Sequence, residues 1–431
     1  MDHKCIVGKD QWLFLDNDSN RVMEQISGKL LLSEEQLFKW NLLLFSRSSY
    51  LKSQGIKYFI LIAPNKECVY PEFLPDNIEL LEHRPINLLI NYIKEKSDFE
   101  NLLFYPLADI VKGKKRRLTY QKGDTHWNSY GAYIAYLHLV RKIKPYLDID
   151  ILEESSVKFS ERFHIGDLAN KIIEKPKSID YISEFNSNSQ CVFDNQVQNG
   201  GNLTIWENSN KKLPRAILFG DSFGTRLKPF LAESFSRLVT VHQPNLDYEL
   251  ILKEKPDVVI SEYVERFMIK RPDDMNGPSN RKLVINKILP EYSCQYNSDK
   301  SDYIYDWNIG DPQPGILKNN YLRGWVIGKE LPVDLIELVN LENGEVVKTI
   351  SIEKRSEIDS RYPDLKYAEI SDFNTELSEV LVEMEKGKSV CKFKLQAVFS
   401  DGKKAPLTIF NFERIEKNDI SKSKNRLYSI A

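Results

Sequence analysis

Four apolar runs constrain what this chain can fold into more than any other feature. They are Lys57-Tyr-Phe-Ile-Leu-Ile-Ala-Pro64, Ala216-Ile-Leu-Phe-Gly-Asp-Ser222, Arg237-Leu-Val-Thr-Val-His242 and Asp257-Val-Val-Ile-Ser261. None sustains the polar–apolar alternation of a strand with one wet face. Such runs belong to mostly parallel sheets, whose crossover helices cover both faces. Helical patterns lie around them. Ser33 to about Ser53 is amphipathic and opens on the capping signature Ser33-Glu-Glu-Gln36, and Leu246 to Glu254 separates the last two runs. The expected architecture is an α/β/α sandwich over residues 1–295.

A chain of 431 residues is long for one core, and its texture changes after residue 295. Tyr321 to Ile327, Asp334 to Leu341, Val346 to Glu353 and Cys391 to Phe399 read as strands. The turns Glu342-Asn343-Gly344-Glu345 and Ser400-Asp401-Gly402-Lys403 carry tight-hairpin signatures. They predict a smaller all-β, antiparallel sandwich over 296–431, bounded by the polar stretch Tyr296 to Asp302 and frayed after Glu413. Ser155 to Pro214, rich in Asn, Ser and Lys, reads as a long excursion of loops and short elements, a candidate substrate-side lid.

Composition narrows the function classes. Hydrophobic residues at 42% and charged residues at 28% are ordinary for a globular protein. Sixty basic against 62 acidic residues leave a net charge of -2, with no electrostatic footprint for nucleic acid. No apolar run reaches the ~20 residues that span a bilayer. Met1-Asp2-His3-Lys4-Cys5 lacks the apolar stretch of a secretory signal. The cytoplasm is therefore expected, with an exported or periplasmic setting as the alternative if a signal has been removed. The five cysteines have no zinc-ligand or redox spacing and are expected as free thiols.

Two segments carry chemistry. In Gly123-Asp124-Thr125-His126-Trp127-Asn128 the acid and the imidazole lie two residues apart, just ahead of a helix whose buried face is Ala132, Ala135, Tyr136, Leu139, Val140 and Ile143. Residues two apart in an extended segment point the same way. Asp124 can then fix the His126 tautomer through Nδ1–H and leave Nε2 as a base. In Leu218-Phe219-Gly220-Asp221-Ser222-Phe223-Gly224 an apolar strand ends at Gly220, which puts Ser222 at the carboxyl edge of the sheet, where open α/β folds bind ligands. Backbone N–H groups at Ser222 and Phe223 are candidate oxyanion donors. A serine hydroxyl needs a base to act as nucleophile, and His126 is the candidate. Taken singly, Gly-Asp-Ser is a common turn and Asp-x-His a common cap. Together they supply every role of a Ser-His-Asp triad.

These motifs resemble the alginate O-acetyltransferase family, SGNH-hydrolase-like proteins that acetylate bacterial polysaccharides. The likeness runs from residue 8 to about 270 through Gly8-Lys-Asp-Gln-Trp-Leu-Phe14, Pro64-Asn-Lys66-Glu-Cys-Val-Tyr70-Pro71 with Leu74-Pro75, and Gly123-Asp-Thr-His-Trp-Asn128 with Gly131-Ala132. It ends with Gly220-Asp-Ser-Phe223 and Glu262-Tyr-Val-Glu-Arg266. As in the family, and opposite to ordinary SGNH hydrolases, the Asp-His pair precedes the serine. The resemblance implies Ser222 as acyl carrier, His126 as base and Asp124 as its partner. Arg323-Gly-Trp-Val326 and the stretch Arg355 to Pro363 resemble an Ig-like sandwich found beside bacterial glycosyltransferases, so glycan-assembly proteins are expected partners.

The reading is an O-acetyltransferase acting on a polysaccharide hydroxyl, with a carbohydrate acetylesterase and a non-catalytic glycan binder as alternatives. No tightly bound cofactor is expected. An acetyl donor is required, acetyl-CoA or an acetylated partner, although no nucleotide-binding loop is discernible. Lys66 and Tyr70, after the first strand, are candidates to face the crevice, with structural roles as the equal alternative. Glu262 is a candidate to position substrate or to pair with Arg266 at helical spacing, and the structural pair is the favoured reading. His242 and Asp221 are read as structural, Asp221 ordering the serine turn. A binuclear metal reading of Gly-Asp-Thr-His fails for want of ligands: Thr225 stands where a second aspartate is needed, and no Gly-Asn-His follows. No metal is therefore assigned.

Overall fold

The computed structural model describes residues 5–16, 18–97, 99, 102–172, 176, 178–288, 292–298, 301–317, 320–354, 358, 361–383 and 390–414. The chain divides into two units, Met1–Asn280 and Arg281–Ala431. The first unit begins β1 Cys5–Val7, β2 Leu13–Leu15, α1 Val22–Ile26, α2 Glu34–Ser53, β3 Lys57–Ala63, α3 Lys66–Val69, α4 Pro85–Lys96, β4 Leu103–Phe104, α5 Leu107–Gly113 and α6 Ser129–Ile143. It continues β5 Lys158–Phe163, β6 Ile179–Glu184, β7 Ser189–Asp194, β8 Leu203–Asn208, β9 Arg215–Gly220, α7 Gly224–Ala232, β10 Arg237–His242, α8 Tyr248–Glu254 and β11 Val258–Val264.

The four apolar runs become β3, β9, β10 and β11, the middle of a seven-stranded sheet ordered β4-β3-β11-β9-β10-β8-β7. The first five strands in that order are parallel, and β8 and β7 extend the β10 edge antiparallel. Alternate side chains enter opposite layers. Phe59, Leu61, Leu218 and Ile260 meet Tyr133 and Tyr136 of α6 and Phe230 of α7. Tyr58, Ile60, Ile62, Ile217, Phe219 and Val259 meet Trp40 and Leu44 of α2 and Leu89 of α4. With both faces covered, an alternating strand would bury its polar side chains; the runs are apolar throughout for that reason. The capping box holds: Ser33 Oγ accepts the Gln36 N–H (3.3 Å) and Gln36 Oε1 accepts the Ser33 N–H (2.8 Å).

The excursion from Ser155 to Pro214 is more regular than its composition suggested. β5 and β6 pair as a hairpin, while β7 and β8 lengthen the main sheet. Among the described residues no helix is long and apolar enough to cross a membrane. None of the five cysteines is in a disulfide.

α9 Asn280–Ile288 leads into the second unit. Its strands are β12 Tyr292–Ser298, β13 Ile304–Asp311, β14 Gly315–Ile316, β15 Tyr321–Gly328, β16 Val333–Asn340, β17 Val346–Ser351, β18 Glu353–Lys354, β19 Ile370–Glu376, β20 Val390–Phe399 and β21 Lys404–Arg414. They form two antiparallel sheets, β14-β12-β21-β20-β16-β17 and β13-β15-β19-β18. Leu322, Val326 and Phe373 of the smaller sheet share a core with Ile336, Leu395 and Phe410 of the larger. Gly344 and Gly402, at φ 74° and 83°, close the two expected hairpins. The division at Asn280/Arg281 precedes the expected one at 295, because β12 ladders onto β21 from Tyr292 onward. The tail beyond residue 414 lies outside the described residues.

Arg47 of α2 ties the helical layer to the sheet. Its fully buried guanidinium donates to both oxygens of Asp274 (2.6 and 2.7 Å), to the Tyr263 hydroxyl (2.6 Å) and to the Tyr58 hydroxyl (3.0 Å). Removing one partner of a buried ion pair strands the other charge. Arg47→Leu should cost about 3–5 kcal/mol in urea unfolding, and Arg47→Leu with Asp274→Asn less than that. A loss below about 1 kcal/mol would show that the pair carries no net stability.

Candidate active site

Ser222 sits where β9 gives way to α7, at the carboxyl edge of the parallel strands. The turn needs a glycine at 220, since a Cβ there would stand 2.8 Å from Glu262 Oε2. Asp221 pins it. Its Oδ1 accepts the Phe223 N–H (2.9 Å), its Oδ2 accepts the Val264 N–H of β11 (2.7 Å), and its own N–H donates to Glu262 Oε2 (3.2 Å).

Asp124 and His126 arrive on the loop before α6, which Asn128 caps by accepting the Gly131 N–H (3.0 Å). Trp127 Nε1–H donates to the Phe223 carbonyl (3.0 Å) and docks this loop on the serine turn. A continuous relay results. Asp124 Oδ1 lies 2.7 Å from His126 Nδ1, and His126 Nε2 lies 2.7 Å from Ser222 Oγ. With Nδ1–H given to the carboxylate, Nε2 is free to accept the serine hydroxyl. Burial alone would raise Asp124, but the hydrogen bonds and charge of His126, with a hydrogen bond from Asp167, outweigh it and hold the carboxyl well below the usual range. Asp124 is ionised at neutral pH.

Asp167, from the excursion, was not anticipated. It accepts the Thr125 N–H at Oδ1 (2.8 Å) and the Thr125 hydroxyl at Oδ2 (2.7 Å), and its own N–H reaches Asp124 Oδ2 (3.4 Å). Gly166 permits the approach, since a Cβ there would stand 2.2 Å from the Gly123 carbonyl oxygen. The one local signal was this Gly-Asp dipeptide inside a polar stretch. Asp180, fully buried, likewise joins Arg162 (2.9 Å) of the excursion to Arg226 (3.1 Å) of α7.

The structure thus brings together Ser222, His126 and Asp124, and relocates most other candidates. The Phe223 amide is engaged by Asp221 and its ring is buried, so it offers no oxyanion donor. Tyr70 is buried, stacked on Trp12 at 4.3 Å, and accepts the Thr119 N–H (2.9 Å). Lys66 is 2% exposed and points into backbone carbonyls rather than the crevice. Glu262 and Arg266 do not pair, because β11 runs through Val264 and breaks the helical spacing. Glu262 lies under the serine turn, whereas the Arg266 guanidinium, in a residue 8% exposed, lies over the Phe223 ring (5.6 Å) and the Phe267 ring (5.1 Å). Among the described residues no carboxylate reaches ion-pair distance of Arg266. On the β10 side, Asn202, Thr225, Lys228 and His242 line a small cleft against Gly220 and Asp221.

One atom each from Asp124, His126 and Asp167 falls within 4.8 Å, a spacing that would suit a metal ion. The atoms are already committed: Nδ1 to Asp124, Nε2 to Ser222, and both Asp167 oxygens to Thr125. The set fits a hydrogen-bonded relay better than an ion.

Residues 5–243 match the family model described as an SGNH hydrolase-like domain, acetyltransferase AlgX. The probable alginate O-acetylase AlgJ of Pseudomonas syringae pv. tomato is 29% identical over 133 residues, 30% of this chain and 31% of that protein. The protein of the same description from Pseudomonas putida is 30% identical over 136 residues, with the same two shares. The chain thus spans 31% of the length of these curated relatives. Among solved structures, Bacillus cereus PatB1 is 17% identical, with 62% of this chain and 99% of that one covered, at a TM-score of 0.47. The O-acetyltransferase domain of P. putida AlgJ is 18% identical, with 64% and 95% covered, at a TM-score of 0.42.

Burial first, and then the facing Asp221, push the Glu262 carboxyl well above the usual range, so it holds its proton where an ordinary glutamate has lost it. The native state therefore holds a proton that an unfolded glutamate releases above about pH 4.3. Stability falls as pH rises through that window. Glu262→Gln removes the slope, and its thermal midpoint relative to wild type should climb between about pH 5 and about pH 8. A difference that stays constant with pH would mean that Glu262 is ionised in the native protein.

Proposed function

The chain belongs to the family of SGNH hydrolase-like domains of the acetyltransferase AlgX, and from that premise we propose that it moves an acetyl group onto a polysaccharide hydroxyl through an acetyl-Ser222 intermediate. The observation that carries this reading is the 2.7 Å contact between His126 Nε2 and Ser222 Oγ, with Asp124 on the opposite ring nitrogen. His126 takes the hydroxyl proton as Ser222 Oγ attacks the acetyl carbonyl. The bond to the donor's leaving group breaks, and His126 returns the proton to it. A sugar hydroxyl then gives its proton to His126, attacks the acetyl-serine, and leaves as the acetate ester while the proton returns to Ser222.

The oxyanion requires donors that the ground state leaves unused. Phe223 and Gly224 give their amides to Asp221, whereas among the described residues no acceptor is recorded on the Ser222 amide. Ser222 N–H is the donor we assign, with Arg266, next to Phe223, as the nearby uncommitted cation. The donor is an activated acetyl ester or thioester, acetyl-CoA or an acetylated partner. A polysaccharide acceptor favours an exported setting over the cytoplasm. If water replaces the sugar hydroxyl in the second half-reaction, the same residues give an acetylesterase.

Incubation with 4-nitrophenyl acetate should load one acetyl group on Ser222, read by intact mass and peptide mapping. Added uronate or neutral oligosaccharide should accept it, with water as the control. Ser222→Ala, His126→Ala and Asp124→Asn should each lower turnover by on the order of a thousandfold or more with the fold intact. A chelator should leave the rate unchanged. Near-normal turnover in His126→Ala, or a glycan affinity untouched by Ser222→Ala with no acetylated wild type, would sink the acyl-enzyme reading.

A further inference from the structure

Lys66, at the start of α3, is a buried cation that, among the described residues, forms no ion pair with a carboxylate. Its ammonium donates to the carbonyls of Asp124 (2.6 Å), Lys122 (3.2 Å) and Gln121 (3.4 Å). A lysine has three N–H donors, and here each has a backbone oxygen. The rings of Phe14 and Trp12 close the cage at 5.3 and 5.9 Å. β2 is bonded to the same loop, since the Leu13 N–H donates to the Lys122 carbonyl (2.9 Å). Three distant stretches of chain, around residues 12–14, 66 and 121–124, therefore converge on one Nζ.

We propose that Lys66 is a positioning residue for acyl transfer: by drawing in the Asp124 carbonyl it sets the histidine loop at the height from which His126 reaches Ser222. The proposal rests on Ser222 carrying the acetyl group. The Asp124 carbonyl is the shortest of the three contacts and belongs to the residue whose side chain holds the imidazole. A displacement of that carbonyl moves the carboxylate and the ring with it. Proton transfer is steep in distance, and misplacements near 1 Å can cost about a hundredfold in rate. A desolvated ammonium is a costly way to fill a core site, and an apolar side chain would cost less. Stability therefore does not account for the charge, whereas loop placement does.

The cage gives this role a signature. Burial pushes Lys66 down to about 8, and Glu67 on α3, Asp124, Asp167 and Cys5 of β1 offset part of that fall. Above that pH the ammonium loses a proton and one of its three bonds, and the loop loosens. Global stability does not follow. The native state releases this proton more readily than an unfolded lysine does at about 10.4, so in that window the linkage favours the fold as pH rises. A fall of rate with pH in that window therefore cannot come from loss of the fold and reports on the placement of the loop.

The test uses the full chain and the rate of acetyl-Ser222 formation from 4-nitrophenyl acetate between about pH 6.5 and about pH 9.5, beside thermal melts over the same range. Wild type should lose kcat with a midpoint at about 8, with KM and melting midpoint not following. Lys66→Met should lower kcat by on the order of ten- to a hundredfold at pH 7 with KM little changed, and should lack the alkaline limb. Lys66→Arg, which keeps its charge, should recover part of the rate and stay flat to the end of the range. A wild-type kcat flat across the range, or a Lys66→Met variant with full rate or an intact limb, overturns the proposal. If Lys66→Met does not fold, the wild-type rate and melting profiles decide alone. Absence of acetyl-Ser222 in wild type at pH 7 would instead overturn the underlying acyl-enzyme reading.

Discussion

An imidazole bridging two segments 96 residues apart is the interaction on which the rest of the site depends. Such a contact must hold to a few tenths of an ångström, and a single hydrogen bond between two loops would not hold it. The structure doubles it in register. His126 meets Ser222, and the next residue on each side repeats the contact, Trp127 Nε1–H on the Phe223 carbonyl. The Phe223 ring packs 5.0 Å from the His126 ring and 5.1 Å from Trp127. Its burial anchors the serine turn in the core shared by α6 and α7, so the two halves of the relay move as one body.

Beneath that contact the charges are sorted by how each is satisfied. Asp221 has a backbone N–H on each oxygen. Glu262 is wedged against the Gly220 turn, and among the described residues its Oε1 has no hydrogen-bond partner, so a second negative charge there would go uncompensated. Asp124, by contrast, is held ionised by His126 and Asp167. Two carboxylates of different environment thus take different states within one turn of the serine, a general way for a protein to keep one acid neutral and another charged.

Much of this was legible in the sequence where local pattern and packing agree. β3, β9, β10 and β11 were readable because a doubly covered strand must be apolar throughout, and Asp124, His126 and Ser222 because each stands at the end of such a periodic element. Asp167 and Asp180 were not, because the polar stretch that carries them acquires its meaning only when Gly166 meets Gly123 and β6 crosses to Arg226. For Lys66 and Tyr70 the strand-end position leaves a crevice role and a structural role equally open, and for Glu262 it favours a structural pairing. That position says nothing of the N-terminal segment, whose Trp12 and Phe14 cover Lys66 and Tyr70, or of β11, which runs on past Glu262. Coverage by a distant segment has no local signature.

For the acetyl transfer proposed above, the distribution of charge around His126 bears on both half-reactions. Asp124 and Asp167 both lie on the Nδ1 side of the ring, so the positive charge that develops when Nε2 takes a proton is met there, away from the reacting carbon. The negative charge of the tetrahedral state develops on the other side of Ser222, where Asp221 has already claimed the amide of Phe223 and the Ser222 amide remains. A hole with one backbone donor stabilises an oxyanion less than a hole with two. The shortfall has to be met by a group that does not spend its charge on the resting protein. Arg266, buried against Phe223 and, among the described residues, in no ion pair, has that property, and Lys66, fully committed to three carbonyls, does not. On the roles proposed above, Lys66 and Arg266 divide the work, one fixing the base and the other remaining for the substrate.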